Sequence, residues 1–135
     1  MTIQMSTSLR NARLDIIETT IGVGARLQIY SGAAPANCAA AETGTLLVDF
    51  TLAADRASAA SGGAKAFSNL PVSTNAAAAG VAAHFRIADA SGATCHYQGS
   101  VTVTGGGGDM TLDNTNIAAS QSVSITSFTI TEGNA

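Results

Sequence analysis

The chain predicts an all-β domain: an antiparallel β-sandwich of about seven to nine strands, jelly-roll-like or immunoglobulin-like, with one N-terminal α-helix. Three observations lead there. Apolar and polar residues alternate in several short runs, Gly, Asn, Asp and Pro separate those runs at hairpin spacing, and one stretch alone shows helical spacing. At 135 residues the chain makes a single domain, residues 1–22 being an arm and helix and residues 23–135 the β-core.

The helix is STSLRNARLDIIETTIG. Ser6 or Thr7 can cap its start, and Gly22 suits a left-handed cap at its end. Leu9, Ala12, Ile16, Ile17 and Ile21 fall on one stripe, with Arg10, Asp15 and Glu18 expected to point the other way. Two roles are open for that stripe: plugging one side or end of the β-core, or docking onto a neighbouring subunit.

The next strand is ARLQIY (25–30), with Leu27 and Ile29 inward. A long loop marked by Pro35 and Gly44 leads to TLLVDFTL (45–52), where Leu46, Val48, Phe50 and Leu52 alternate with Leu47, Asp49 and Thr51. Residues 53–83 are rich in Ala, Gly and Ser and read as loops around weak strands near 64–70 and 80–87. The clearest hairpin is AHFRIAD-ASGA-TCHYQG. There Ile87 is expected opposite Cys95 and Phe85 opposite Tyr97 on the core side, with Arg86 meeting His96 outside. Val101 and Val103 extend its second strand. Met110 and Leu112 mark a short strand, Asp113-Asn114 a turn, and 123–131 a last strand. Its parity changes between Ile125 and Phe128, which predicts a bulge at Thr126-Ser127.

Composition excludes several functions. Charged residues are 11% of the chain, against a usual share of roughly 25%. Lys65 is the one lysine, five arginines are scattered and the net charge is −3, so no clustered cations are available for nucleic acid. The N-terminus lacks the apolar run of a leader and no stretch has the length of a membrane span, so no membrane role and synthesis in the cytoplasm are expected. Aromatics are 4%, with no Trp, and much of the apolar share is Ala. So thin a core points to association, as a dimer or trimer or with a large partner.

No constellation for chemistry emerges, and neither a catalytic residue nor a cofactor or metal is expected. His84 and His96 should share an outer face with no third ligand, as solvated or interface side chains. Cys95 and His96 are strand neighbours that point to opposite faces. Gly105–Gly108 lead into a strand without a nearby lysine, unlike a phosphate loop. Asp109, Asp113 and Asn114 do not match a calcium loop, and paired carboxylates without aromatic platforms make a poor sugar cleft. Cys38 and Cys95 either form one disulfide, stabilising by about 4 kcal/mol, or remain two buried thiols.

The succession SLRNARLDIIETTIG, ARLQIYSGAAPA, GTLLVDFTL, HFRIADASGA and GGDMTLDNTNIAASQSVSITSFTITEGNA resembles a group of small structural proteins of tailed bacteriophages and prophages. The likeness spans most of the chain, most weakly over residues 53–80, and carries no active-site residue. It implies a part of the virion. The expectation is a non-enzymatic capsid decoration, or cement, protein bound in many copies to the outer head surface. Its partners would be the major capsid protein or other virion proteins. Thr2, Ile3, Leu9, Ile16, Arg86 and His96 are the candidate interface residues. The alternative is a tail, tail-tip or collar component that binds a host surface through its Gly- and Ala-rich loops.

Overall fold

A computed structural model describes residues 3–133 of the chain. Helix α1 spans Thr7–Ile21. The Ser6 hydroxyl accepts the Leu9 N–H at 3.2 Å, and Gly22 donates its N–H to Glu18 O from a φ of +80°, a conformation that favours glycine. The Ser6 cap agrees with the sequence reading, whereas Gly22 pairs its positive φ with an extended ψ of −175° in place of the left-handed cap expected.

After the helix the chain is mostly β. Strand β1 (Arg26–Ser31) lies between β2 (Leu46–Thr51) and a strand, β5 (Gly80–Ala88), reached after two short ones, β3 (Ala64–Ala66) and β4 (Val72–Asn75). β5 pairs with β6 (Cys95–Val103), and β7 (Met110–Leu112) closes the far edge of this sheet. β8 (Asn116–Ile117) pairs with the start of β5. Two separate ladders complete the fold, β4 with β9 (Ser122–Ile125) and β3 with β10 (Thr129–Thr131). One pair departs from the antiparallel expectation: β7 runs parallel to β6, because the glycine-rich 105–108 segment carries the chain back before it pairs.

The core lies where the sheet faces the two ladders. Leu27, Ile29, Val48, Phe50, Phe85 and Ile87 meet Val123, Ile125 and Phe128, all buried. Phe128 packs edge-on against both Phe85 and Phe67, with centroids 5.3 and 4.9 Å apart. Each such side chain contributes about 1.5–3 kcal/mol through burial.

Three expectations are corrected. The last strand does not bulge at Thr126-Ser127. It breaks there into β9 and β10, which belong to different ladders, and this break brings Val123, Ile125 and Phe128 all to the core. In the hairpin, a register shift between Ile87 and Ala88 sets Ile87 opposite Tyr97, Phe85 opposite Gly99, Arg86 opposite Gln98 and Ala88 opposite Cys95. Leu47 is buried although its parity predicts the outer side, because the β1–β2 register also shifts, between Ile29 and Tyr30.

The helix departs most. Leu14 and Ile21 are its buried residues and Ile17 packs half-buried beside the core, whereas Leu9 and Ile16 of the expected stripe are exposed. Asp15 and Glu18, expected to point outward, instead hold the helix down together with Asn11. Asn11 accepts the Gly63 N–H at 2.9 Å, Asp15 the Ala60 N–H at 2.8 Å, and Glu18 the N–H groups of Arg56 and Ala57 at 3.1 and 3.0 Å. The segment 56–65 has few large apolar side chains, and the N–H groups of Arg56, Ala57, Ala60 and Gly63 find their acceptors on the polar helix face.

Candidate functional site

Three places combine unusual chemistry with defined geometry. The first is a polar layer on the outer face of the main sheet. β1 and β5 present Arg26, Gln28, Tyr30, His84 and Arg86 there, and the 32–44 loop folds over them. Glu42 from that loop faces His84 Nε2 at 3.1 Å and Arg86 Nε at 3.2 Å, and accepts the N–H groups of Gly44 and Thr43. Burial raises the Glu42 pKa, but the Gly44 N–H, His84 and the Thr43 N–H together bring it below its ordinary value. Arg86 also donates to the carbonyls of Asn37 and Ala40 at 3.2 and 3.0 Å, and Gln98 to that of Pro35 at 2.6 Å. His84 stacks on Tyr30, with centroids 5.4 Å apart, and bonds Gly32 O through Nδ1 at 2.9 Å. Arg26 pairs with Asp49 at the edge of the layer.

Cys38 and Cys95 close this layer as free thiols, the Cys95 thiol donating to Tyr97 O at 3.5 Å. They line a cavity of about 290 Å³ with Tyr30, Glu42 and Arg86. Burial, followed by the neighbouring Cys38 thiol, pushes the Cys95 thiol up to about 12. The layer is consequently a structural one. Its charges neutralise each other, and its thiol is held protonated rather than activated.

The second place is α1. Its inner side combines the buried Leu14 and Ile21 with an ionic anchor. Lys65, buried, reaches Asp15 at 2.9 Å and Glu18 at 3.1 Å, and Arg56, 2% exposed, donates to Gly22 O at 3.0 Å and Glu18 O at 3.2 Å. Arg56 thus caps the negative end of the helix from within the protein. At the other end Arg10 donates to Glu132 O at 3.0 Å and Arg13 pairs with the Glu132 carboxylate at 2.7 Å. The outer side mixes polar residues, Ser8, Arg13, Thr19 and Thr20, with apolar ones. Ile3 is 88% exposed, Leu9 50% and Ile16 61%, with Val23 exposed just past the helix. Ile16 also rims a groove of about 220 Å³ shared with Ile17, Thr20, His96 and Tyr97.

The third is a cleft of about 490 Å³ between β7 and β9, walled by Thr111 and Asp113 on one side and Ser122 and Ser124 on the other.

The structure therefore brings Ile16 and His96 together in one groove, leaves Ile3 and Leu9 exposed, and buries Arg86 away from them. Arg86 is 6% exposed under the 32–44 loop, held by Glu42 and backbone carbonyls, and is not available to a partner. Thr2 lies outside the described residues. His84, expected on a solvated face with His96, is buried on the opposite side of the sheet from the groove that His96 lines. Sequence reasoning missed Glu42, Arg56 and Lys65 as organising residues. A signal was present: in a chain so poor in charge, an ionic residue inside an Ala/Gly/Ser-rich segment has a partner to meet.

Among the described residues no group of three His, Cys, Asp or Glu side chains could hold a metal ion, and no helix is long and apolar enough to cross a membrane. No protein-family model, curated protein or solved structure matches the chain.

Proposed function

We propose that this protein is a structural component of a tailed-phage particle, a decoration protein seated in many copies on the outer capsid surface through the exposed face of α1. The observation that carries this reading is the orientation of the helix. A free-standing surface helix turns its apolar side inward and its polar side to water. Here Asn11, Asp15 and Glu18 are engaged by the protein, while Ile3, Leu9 and Ile16 are presented to solvent. Leu9 and Ile16 lie two turns apart on one helix face, and exposed apolar groups so placed mark a contact surface.

In this reading the β-core is an antiparallel sandwich that acts as a rigid block, and the helix is its adhesive side. The partner is the major capsid protein or another virion protein, and the same face supports a dimer or trimer of the free chain. Burial of Leu9 and Ile16 contributes about 1.5–3 kcal/mol each per copy, and many copies bridging neighbouring subunits oppose outward pressure on the shell. The protein has no catalytic role in this account.

The test is reconstitution on purified heads that lack the protein. Wild type is expected to bind at a copy number comparable with that of the capsid protein. Leu9→Asp with Ile16→Asp is expected to fold normally and fail to bind. Binding of that variant equal to wild type overturns the reading, and a copy number fit only for a ring or tip favours a tail position instead.

A further inference from the structure

Two strand edges face one another across the β7–β9 cleft with no strand between them. β7 ends the main sheet, and β9 pairs with β4 alone. Backbone parity decides which groups point into the gap. Thr104 donates its N–H to Leu112 O at 2.9 Å, so Met110 and Leu112 direct their backbone groups at β6 and Thr111 directs its N–H and C=O away. Ala76 donates to Gln121 O at 2.8 Å, so Gln121, Val123 and Ile125 face β4 while Ser122 and Ser124 face away. The Ser73–Ser124 hydroxyl contact of 2.5 Å agrees, because side chains approach closest in pairs that exchange no backbone bonds. Met110, Leu112, Val123 and Ile125 are buried, so both walls are anchored in the core.

We propose that this cleft receives an extended segment of a different polypeptide, bearing a basic side chain, which adds as a strand between β7 and β9. Alternating donors and acceptors on both walls are complementary to a polypeptide backbone in extended form. Neither edge carries the Lys or Pro that usually blocks such pairing. At roughly 3.3 Å per residue the walls accommodate about four residues of the guest. Among the described residues Asp113 is the one ionisable side chain lining the cleft, and its charge favours a basic guest. A second copy of this chain is a poor source of a basic group. Arg10, Arg13, Arg26, Arg56, Lys65 and Arg86 are each already bonded within their own chain. The cleft is separate from the α1 face, so the two surfaces stand or fall independently.

The experiment uses the full chain, amide-resolved NMR and a short synthetic peptide alternating valine and threonine around one central lysine. The amides of Thr111, Ser122 and Ser124 are expected to shift and to exchange at least about tenfold more slowly with peptide bound. Thr111→Pro and Ser124→Pro each remove an outward N–H without breaking a ladder bond, and each is expected to weaken binding about tenfold or more. Asp113→Lys, which leaves the backbone alone, is expected to reverse the preference towards a peptide with central glutamate. Leu9→Asp is expected to change none of this. No shift at millimolar peptide, full binding by a folded proline variant, or an unchanged preference in Asp113→Lys overturns the proposal. Slowed exchange of these amides on concentrating the chain alone also overturns it, by identifying a second copy as the guest.

Discussion

Glu42 brings its carboxylate to within 3.1 Å of His84 Nε2, tying the 32–44 loop to the middle of β5 across a face of the sheet that sequence parity assigns to solvent. The hydrogen bonds that hold the carboxylate leave its pKa below the ordinary 4.5. A carboxyl lowered on folding stabilises the native state above its unfolded pKa, and that stability is lost as pH falls through the folded value. Urea unfolding is therefore expected to show stability falling below about pH 4.5. Glu42→Gln is expected to cost about 1.5–3 kcal/mol at neutral pH and to flatten the acid limb. An acid limb as steep as that of wild type would remove Glu42 from this role.

Cys95 and Cys38 are free thiols lining one cavity. Because its thiol is raised to about 12, Cys95 is expected to alkylate at pH 8 more than about tenfold slower than an ordinary thiol. Thiol–disulfide exchange with oxidised glutathione is expected to join the pair within one chain, releasing reduced glutathione. Peptide mapping after alkylation checks both, and a linkage between chains in place of the internal one would contradict the geometry.

Lys65 is the buried cation of the helix anchor. Lys65→Met is expected to cost about 2–3 kcal/mol, below the usual 3–5 for a broken buried pair, because Asp15 is 44% exposed and recovers hydration. Chemical denaturation measures the loss. A neutral result would mean that the carboxylates bind α1 through the 56–60 backbone alone.

Gly99 sits directly under the ring of Phe85, and a Cβ there would lie 2.7 Å from Phe85 Cε1 and 3.0 Å from Asp109 Cβ. Gly99→Val is expected to lower stability by at least about 1–3 kcal/mol, the cost of overpacking, and to displace the Phe85–Phe128 contact. Thermal unfolding together with near-ultraviolet dichroism would detect both effects.

The strands whose alternation was strict were readable from sequence, and so was the Ser6 cap of the helix, since period and cap chemistry are local properties. Leu27, Ile29, Val48, Phe50, Phe85 and Ile87 all point where alternation places them. What was not legible depended on contacts far along the chain. Cys95 takes its position from one register shift in β5–β6, which moves it to the face of Cys38. Arg86 and His84 are covered because a loop without regular structure carries Glu42 back over them. The helix stripe misled for a related reason: it proved too broad for one side, and the protein turned Ile17 and Ile21 inward while Leu9 and Ile16 stayed exposed. Asp15 and Glu18 gained their partners from residues 56–65, a segment whose composition resembles a linker.

The two sides of α1 give it joints of opposite character. Inward it is fastened by Lys65, Arg56 and the Arg13–Glu132 pair, and outward it offers Ile3, Leu9 and Ile16. Added sodium chloride screens the exposed part of the first joint, whereas sulfate strengthens apolar contacts at the second. The ionic medium around the molecule thus sets which joint is the weaker, the one that fastens the helix to its own chain or the one that fastens it to a neighbour.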